Sequence, residues 1–368
     1  MLQLEFGIMD GFGDVARYAS AAEGYDQHIR GAIRAEQLGY RYYFFVEHQN
    51  ATFNYVSSPS VYLASLARET SSLRFGPMVY QLPMYHPIRL AQDAAMLDNL
   101  SHGRLDFGAG FGIQAHEFMR WKLPFGERRA MGEEVMDIVL KAWTQDEVTY
   151  DGQYWSFDEA LPKPRPYQRP YPPVWVGAHS QRSFDYAACN NFNVGQNIDV
   201  DGAAAEKFAY FRQAWHAAGH PGPSPRMLLA RHVHVANTDE QARAEAEPEL
   251  LKGFFGSGGL GSGLAHTRIG TGGDSRGTGG ERSPDIEERG RVFRETSRSY
   301  DFWIDNGLAL VGSPETVIRL LKGQQQRVGY NVFLAQHQIA DMPLEQVTNS
   351  MELFGKEVMP AFASPDAG

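Results

Sequence analysis

The stretch Phe75–Gly112, FGPMVYQLPMYHPIRLAQDAAMLDNLSHGRLDFGAGFG, decides how the rest of the chain is read. A short apolar run at Phe75–Val79 and a second at Leu105–Ala109 flank a helical pattern from Ile88 to Leu100. Leu90, Ala94, Leu97 and Asp98 share one helical face, and Ala91, Ala95 and Met96 widen it. Ser101-His102-Gly103 closes the helix, with glycine supplying the left-handed turn. Two short strands joined by one helix form a β-α-β unit, so the strands should run parallel.

The same alternation extends in both directions. Upstream, Leu4–Met9 and Tyr42–Val46 read as strands, the second apolar on both faces as a buried parallel strand should be. Residues 10–25 read as a loop, with Asp26 capping a helix from Gln27 to Leu38 that Gly39 closes. Ser58-Pro59 opens a helix through Ala67. Downstream, Glu127–Trp143 reads as a helix and Tyr150–Phe157 as a hairpin turning at Asp151-Gly152. Leu161–Pro173 carries six prolines and must be an extended connector. Val174–Gly177, Phe192–Gln196, Met227–Val235 and Asn331–Leu334 complete the strands, with helices near 180–189, 203–218 and 344–358. Eight strands with a helix after most of them give an α/β chain with the pattern of a (β/α)8 TIM barrel. An open doubly wound sheet is the competing architecture, and the lack of G-x-G-x-x-G after the first strand counts against its dinucleotide-binding version.

Four stretches in order carry a family resemblance: YYFFVEHQN at 42–50, HPIRLAQDAAMLDNLSHGRLDFGAGFG at 86–112, PPVWVGAHSQRSFDYAA at 172–188 and GLALVGSPETVIRLL at 307–321. Together they resemble the bacterial luciferase-like flavin monooxygenases over most of the chain outside residues 250–300. The resemblance implies one closed barrel domain spanning 1–368. It implies reduced FMN as cofactor, supplied by a separate flavin reductase, and O2 as co-substrate, reacting through a C4a-peroxide. It also implies a homodimer pairing through the helices that follow the second and third strands. The substrate expected is small and apolar, an aldehyde, ketone or hydrocarbon-like compound; Tyr43, Phe53, Tyr55, Phe111 and Phe118 fit that expectation.

Site residues follow from the same comparison. His48 stands just past the second strand and matches the first histidine of the family's E-H-H motif, a catalytic base; Gln49 replaces the second histidine. In a barrel, the C-terminal strand ends carry the active site, and a histidine there suits proton transfer. Met78 and Val79 occupy the place where the family has a non-prolyl cis peptide under the flavin ring. A cis Gly76–Pro77 bond is the cheaper alternative. Gly110 and Phe111 follow the fourth strand, where luciferases have a phosphate-binding arginine at the position of Phe111, so the phosphate site must be rebuilt. Gly177, Ala178, His179, Ser180, Gln181 and Ser183 run from the fifth strand into a helix start, whose N–H groups and dipole suit a phosphate. Arg182 can add charge, and His179 replaces a luciferase glutamate. An ordinary serine N-cap explains Ser180 equally well.

Other chemistries are weighed against this. His232-x-His234 puts two imidazoles on one strand face, as in barrel metallohydrolases, but the first-strand H-x-H and the later lysine of those enzymes are missing, so no metal is expected. A Schiff-base aldolase needs a lysine at a strand end; the seven lysines begin at Lys122 and none lies in an expected strand. A deazaflavin-dependent oxidoreductase of the same superfamily and a non-catalytic flavin-binding barrel stay open.

Length and charge are compatible with this reading. The chain has 368 residues, 43 % of them hydrophobic, enough for a full barrel core. A net charge of −10 without a basic run argues against nucleic acid and anionic membranes as partners. Cys189 is the single cysteine, which excludes an intrachain disulfide and fits a reducing compartment. With no leader pattern and no long apolar run, a cytoplasmic location is expected. Residues 250–300 stand apart. Twelve of the 38 glycines lie between Gly253 and Gly280, so this insertion after the seventh strand is costly to order. It reads either as a surface insertion or as a mobile lid.

Overall fold

The computed structural model describes residues 4–12, 17–49, 56–222, 224–253 and 284–363. In chain order the elements begin with β1 (Glu5–Asp10), α1 (Ala21–Gln37), β2 (Tyr42–Phe45), α2 (Pro59–Glu69), β3 (Arg74–Pro77), β4 (Tyr80–Gln81) and α3 (Pro87–Leu100). There follow β5 (Phe107–Gly110), α4 (Ala115–Arg120), α5 (Arg128–Thr144), β6 (Val148–Asp151), β7 (Ser156–Ala160), β8 (Val174–Gly177), α6 (Gln181–Cys189), β9 (Asn193–Gln196) and α7 (Asp201–Ala217). The last are β10 (Met227–Val235), α8 (Asp239–Leu250), α9 (Pro284–Thr296), α10 (Tyr300–Asp305), β11 (Ala309–Gly312), α11 (Pro314–Val328), β12 (Val332–Gln336) and α12 (Leu344–Leu353).

These elements fall into two compact units. One comprises Met1–Tyr43, Thr52–Tyr55 and Ala178–Gly368, the other Phe44–Ala51 and Val56–Gly177. In the first unit the strands pair in parallel: Phe6 faces Phe333 across β1 and β12, Leu228 of β10 faces both Val332 of β12 and Gly195 of β9, and Val233 faces Leu310 of β11. The Phe6 ring packs edge-on against Phe333, Phe354 and Phe362. Burial of one such ring stabilises by about 1.5–3 kcal/mol, with edge-to-face geometry adding to it.

In the second unit β4 pairs in parallel with β5 (Gln81 facing Gly110) and β5 with β8 (Ala109 facing Val176), while β6 and β7 form the expected antiparallel hairpin. Trp143 of α5 meets Phe107 of β5 edge-on and donates its indole N–H to Ala91 O, joining α5 to α3. Buried Asp106 accepts from Trp175 Nε1 at 2.7 Å and from Arg74 Nε at 2.6 Å. The Arg104 guanidinium donates to the carbonyls of Ala67, Thr70 and Leu73, which ties the end of α2 to the chain entering β5. Both units therefore place buried parallel strand ends under short loops, and the candidate residues lie at those strand ends, on the loops or at the helix start that follows.

Several expectations are corrected. The loop foreseen at 10–25 is cut short, because α1 starts at Ala21 and not at Gln27. Ser20 Oγ accepts from Glu23 N and Glu23 Oε2 accepts from Ala19 N, a reciprocal cap stronger than the Asp26 start. The strand expected over 75–79 is broken in two. The Met78–Val79 peptide is cis; the other cis bonds among the described residues are Lys163–Pro164 and Arg169–Pro170, so Gly76–Pro77 is trans. Strand β11 and helices α4, α8, α9, α10 and α11 were not foreseen. Helix α4 is too short to show a period, and β11 is a four-residue apolar run that only its pairing with β10 identifies as a strand. Of the insertion at 250–300, residues 254–283 lie outside the described residues, and with them the question of a lid. Its last part is helical, in α9 and the start of α10.

Candidate functional site

The His48 centre lies in the second unit, three residues past the end of β2. Phe45 O accepts from Met78 N at 2.8 Å, which joins this strand end to the loop between β3 and β4. His48 Nδ1 lies 3.2 Å from Glu117 Oε1 and 3.1 Å from Gln114 Nε2. Glu117 is fully buried, and its Oε1 also accepts from Gln49 N at 2.7 Å. Both Glu117 and Gln114 come from the start of α4, which sequence reading passed over. The available signal was a glutamate next to Phe118 and two residues from Ala115, both buried.

Glu47 points into a separate nest of donors. Its Oε1 accepts from Gln49 Nε2 at 2.6 Å and from the Tyr85 hydroxyl at 2.8 Å, and its Oε2 accepts from Gln81 N at 3.0 Å. The nest pins the loop that carries His48. Burial pushes the Glu47 carboxyl up to about 7, with nearby Glu117 adding to the rise and the three hydrogen bonds opposing it. Between the ordinary glutamate value of 4.5 and about 7, the native state therefore holds a proton that the unfolded chain releases. Stability from this group is fully present below that window and is lost as pH rises through it, by about 3 kcal/mol in all. Urea unfolding at several pH values should show this loss, and Glu47→Gln should flatten it; an equally steep slope in the variant would assign the dependence to another group.

The residues expected under a flavin ring also meet in this unit. Val79 follows the cis peptide and is bordered by two glycines. A Cβ at Gly110 would lie 2.0 Å from Val79 Cγ2, and one at Gly177 would lie 3.2 Å from Val79 Cγ1. Val79 therefore packs directly on the backbone of β5 at Gly110 with Gly177 beside it, and its half-buried side chain offers a small apolar face that fits a flat ring. Gly108 has a different cause: its Cβ would lie 1.9 Å from Pro77 O, so close approach of the protein's own backbone requires it.

Phe111 provides no phosphate contact of its own, but Arg129 of α5 lies with its guanidinium carbon 3.8 Å from the ring centroid and is held by Glu133. A cation thus stands beside the position where luciferases carry theirs. The aromatic residues expected to mark an apolar substrate site are occupied internally. Phe118 packs on Phe125, and the Tyr43 hydroxyl donates to Asp10 in the first unit. Phe53 and Tyr55 lie outside the described residues. His86, at the N-terminal cap position of α3, makes no side-chain capping bond and packs its ring on Trp155.

In the first unit, Ala178, His179, Ser180, Gln181 and Ser183 form the entry to α6. Ser180 is at the N-cap, as expected, yet its hydroxyl makes no capping hydrogen bond and lies 3.1 Å from Ser183 Oγ. Two hydroxyls meet at a helix N-terminus, where an anion is favoured. Lys207 donates to His179 O at 2.7 Å and to Asp199 Oδ2 at 3.0 Å, so an ammonium stands beside the same segment. Burial lowers the pKa of His179, favouring its neutral ring. Gln196, at the end of β9, is buried with neither amide atom partnered among the described residues. These observations fit a phosphate-bearing ligand.

His232 and His234 do not converge on a metal. His234 Nε2 lies 2.7 Å from Glu245 Oε2, and the His232 ring packs on Trp303; burial pushes His232 down to about 4. A cavity of about 70 Å³ in the first unit is lined by Asp10, Tyr18, His28, Tyr43 and His337. Its polar groups satisfy each other, with His28 bridging Asp10 at 2.7 Å and the Tyr18 hydroxyl at 2.9 Å. Among the described residues no helix is long and apolar enough to cross a membrane.

Comparison with known proteins identifies the family. The luciferase-like monooxygenase model matches residues 4–331. The oxygenase component of the flavin-dependent trigonelline monooxygenase of Acinetobacter baylyi is 29 % identical over 238 residues, 63 % of this chain and 66 % of that protein. The match thus spans just under two thirds of that relative. Limonene 1,2-monooxygenase of Rhodococcus erythropolis is 26 % identical over 344 residues, 89 % of this chain and 79 % of that protein. Among solved structures, monooxygenase RslO1 from Streptomyces bottropensis superposes with a TM-score of 0.78 at 25 % identity, covering 98 % of this chain and 100 % of that one. The oxygenating constituent of 3,6-diketocamphane monooxygenase from Pseudomonas putida, in complex with FMN, gives 0.77 at 22 %, covering 99 % and 100 %. The coenzyme F420 dependent tetrahydromethanopterin reductase of Methanopyrus kandleri gives 0.70 at 20 %, covering 98 % and 100 %. The fold is the α/β barrel these structures share, as the alternation of strands and helices predicts, and the chain belongs to the luciferase-like monooxygenase family.

Proposed function

We propose that the protein is the oxygenase component of a flavin-dependent monooxygenase, taking reduced FMN from a separate reductase and using O2 to oxygenate a small apolar aldehyde, ketone or hydrocarbon-like substrate. The observation that carries this reading is the pairing of His48 with a buried carboxylate in the unit that also holds the half-buried Val79 beside the cis Met78–Val79 peptide. The relative named as an oxygenase component supports the two-component arrangement. Reduced FMN, when bound, supplies the activation of O2.

Each group of this chain then has a task. Met78 and Val79, bordered by Gly110 and Gly177, support the ring. Phe111 lends its face to Arg129, which adds positive charge. Ser180 and Ser183, with the N–H groups of Gln181 and its neighbours and the charge of Lys207, hold the phosphate; Ala178 and His179 shape the approach to that helix. His48 takes or returns the substrate proton as general base. A homodimer through α2 and α3 is part of the proposal, supported by the exposed Val61 on α2 and Met96 and Leu100 on α3. A cytoplasmic location is part of it too, supported by the lone Cys189.

The test is anaerobic titration with reduced FMN followed by an oxygen pulse read by absorbance. The protein should bind the reduced flavin and change its rate of reoxidation, and the substrate should change that rate again. Tight binding of a deazaflavin with no response to oxygen would move the protein to the hydride-transfer branch represented by the F420-dependent neighbour. The phosphate site is tested separately by replacing Ser180 and Ser183 together with alanine. A hydrogen bond to a charged group contributes about 1.5–3 kcal/mol, so FMN should weaken at least tenfold and riboflavin hardly at all. Equal weakening of both would place the phosphate elsewhere.

A further inference from the structure

The two neighbours of His48 Nδ1 make opposite demands on it. The Glu117 carboxylate accepts, so it needs a proton on Nδ1. The Gln114 amide nitrogen donates, so it needs the Nδ1 lone pair. The conflict has a simple resolution, because an amide's oxygen and nitrogen are exchanged by a half turn. Gln114 Oε1 is buried and unpartnered in its present orientation. Turned over, it accepts from the same Nδ1–H that Glu117 accepts, and the ring has one consistent tautomer.

Gln49 makes Glu117 a committed acceptor. Its backbone N–H donates to Glu117 Oε1 at 2.7 Å, the same oxygen that faces His48, while its side chain donates to Glu47. One residue thus ties both buried carboxylates to the loop that carries the imidazole. At this position the resemblance to luciferases breaks down, since a glutamine stands where they have a second histidine. A second imidazole could not place an amide on Glu47 while its backbone held Glu117 through the same contacts.

We propose that Glu117, clamped by Gln49, is a positioning residue that keeps the proton of His48 on Nδ1 and so presents Nε2 as the basic nitrogen to the substrate. This rests on the reading of His48 as the general base. The logic is that of a carboxylate behind a catalytic histidine: it selects the tautomer, orients the ring and favours the cation that forms when Nε2 takes a proton. The step balances internally: Nε2 gains the substrate's proton, Nδ1 keeps its own, and Glu117 stays ionised.

The experiment is nitrogen NMR of the full-length protein labelled in its histidine rings, without flavin, with the His48 signals assigned by their loss in His48→Ala. The unsubstituted protein should show the Nδ1–H tautomer. In Glu117→Leu the carboxylate is gone and Gln114 can donate to Nδ1, so the Nε2–H tautomer should take over. With flavin and substrate, kcat should then fall at least about tenfold while KM stays within about twofold. Glu117→Gln, which keeps an oxygen for Gln49 N–H, is the second variant should the leucine form not fold; its Nδ1–H population and kcat should fall in the same direction and by less. An unchanged tautomer in a folded variant overturns the proposal. Failure of the underlying reading looks different: His48→Ala would keep full turnover, whatever the tautomer of His48.

Discussion

Removing the imidazole in His48→Ala is expected to leave reduced FMN binding within about twofold and to cut turnover by about 10²–10⁴, the usual contribution of a positioned general base. The separation of the two effects follows from the structure. The proposed ring support is the Val79 surface with Gly110 and Gly177, and the proposed phosphate site is the entry to α6; neither uses His48. His48 is fastened instead to Glu117 and Gln114 on α4. Fluorescence titration of the flavin and steady-state turnover measure the two quantities independently. Loss of both together would make His48 a structural residue that keeps α4 in place. Unchanged turnover would favour a flavin-binding barrel without catalysis.

The second large effect is expected on stability. In Gly76→Ala the new Cβ would lie 1.8 Å from Asp106 O and 3.0 Å from Asp106 C. Both are backbone atoms, so no side-chain rotation relieves the clash. The strand that carries Gly76 must move away from the residue whose carboxylate anchors Arg74 and Trp175. The cost should be about 3 kcal/mol or more, at the upper end of overpacking effects. A urea midpoint lowered at unchanged slope checks this. Gly126→Ala is the control, since nothing lies within 4 Å of its added Cβ. If Gly76→Ala unfolds no earlier than Gly126→Ala, the strand is less confined than its contacts indicate.

Local chemistry made much of the molecule legible. β10 begins and ends at Met227 and Val235, as read from its apolar residues Met227–Ala230, Val233 and Val235, although Arg231, His232 and His234 are buried within it. Helix α11 carries equally plain limits, which the sequence reading passed over: Ser313 caps its start, Pro314 sits at its first turn and Gly329 ends it in the left-handed conformation. His48, the cis position and the segment 177–183 were found through a resemblance carried by short contiguous motifs. Those motifs survive as local strings because each is the end of one strand and the loop that follows it.

What the sequence by itself determined, then, was most of the succession of strands and helices and the residues at the strand ends, properties set over a few neighbouring residues, while the choice of a closed barrel rested on the family resemblance. Which of two peptide bonds is cis, why Gly110 must be glycine, and which groups face His48 were decided only by tertiary structure. Glu117 lies 69 residues from His48 along the chain, and Gln114 lies 66 away. No period or spacing encodes such a contact, because a hydrogen bond acts over about 3 Å of space while the chain between its partners can take any path. The carboxylate beside the histidine becomes visible only when packing has brought α4 against the loop that follows β2.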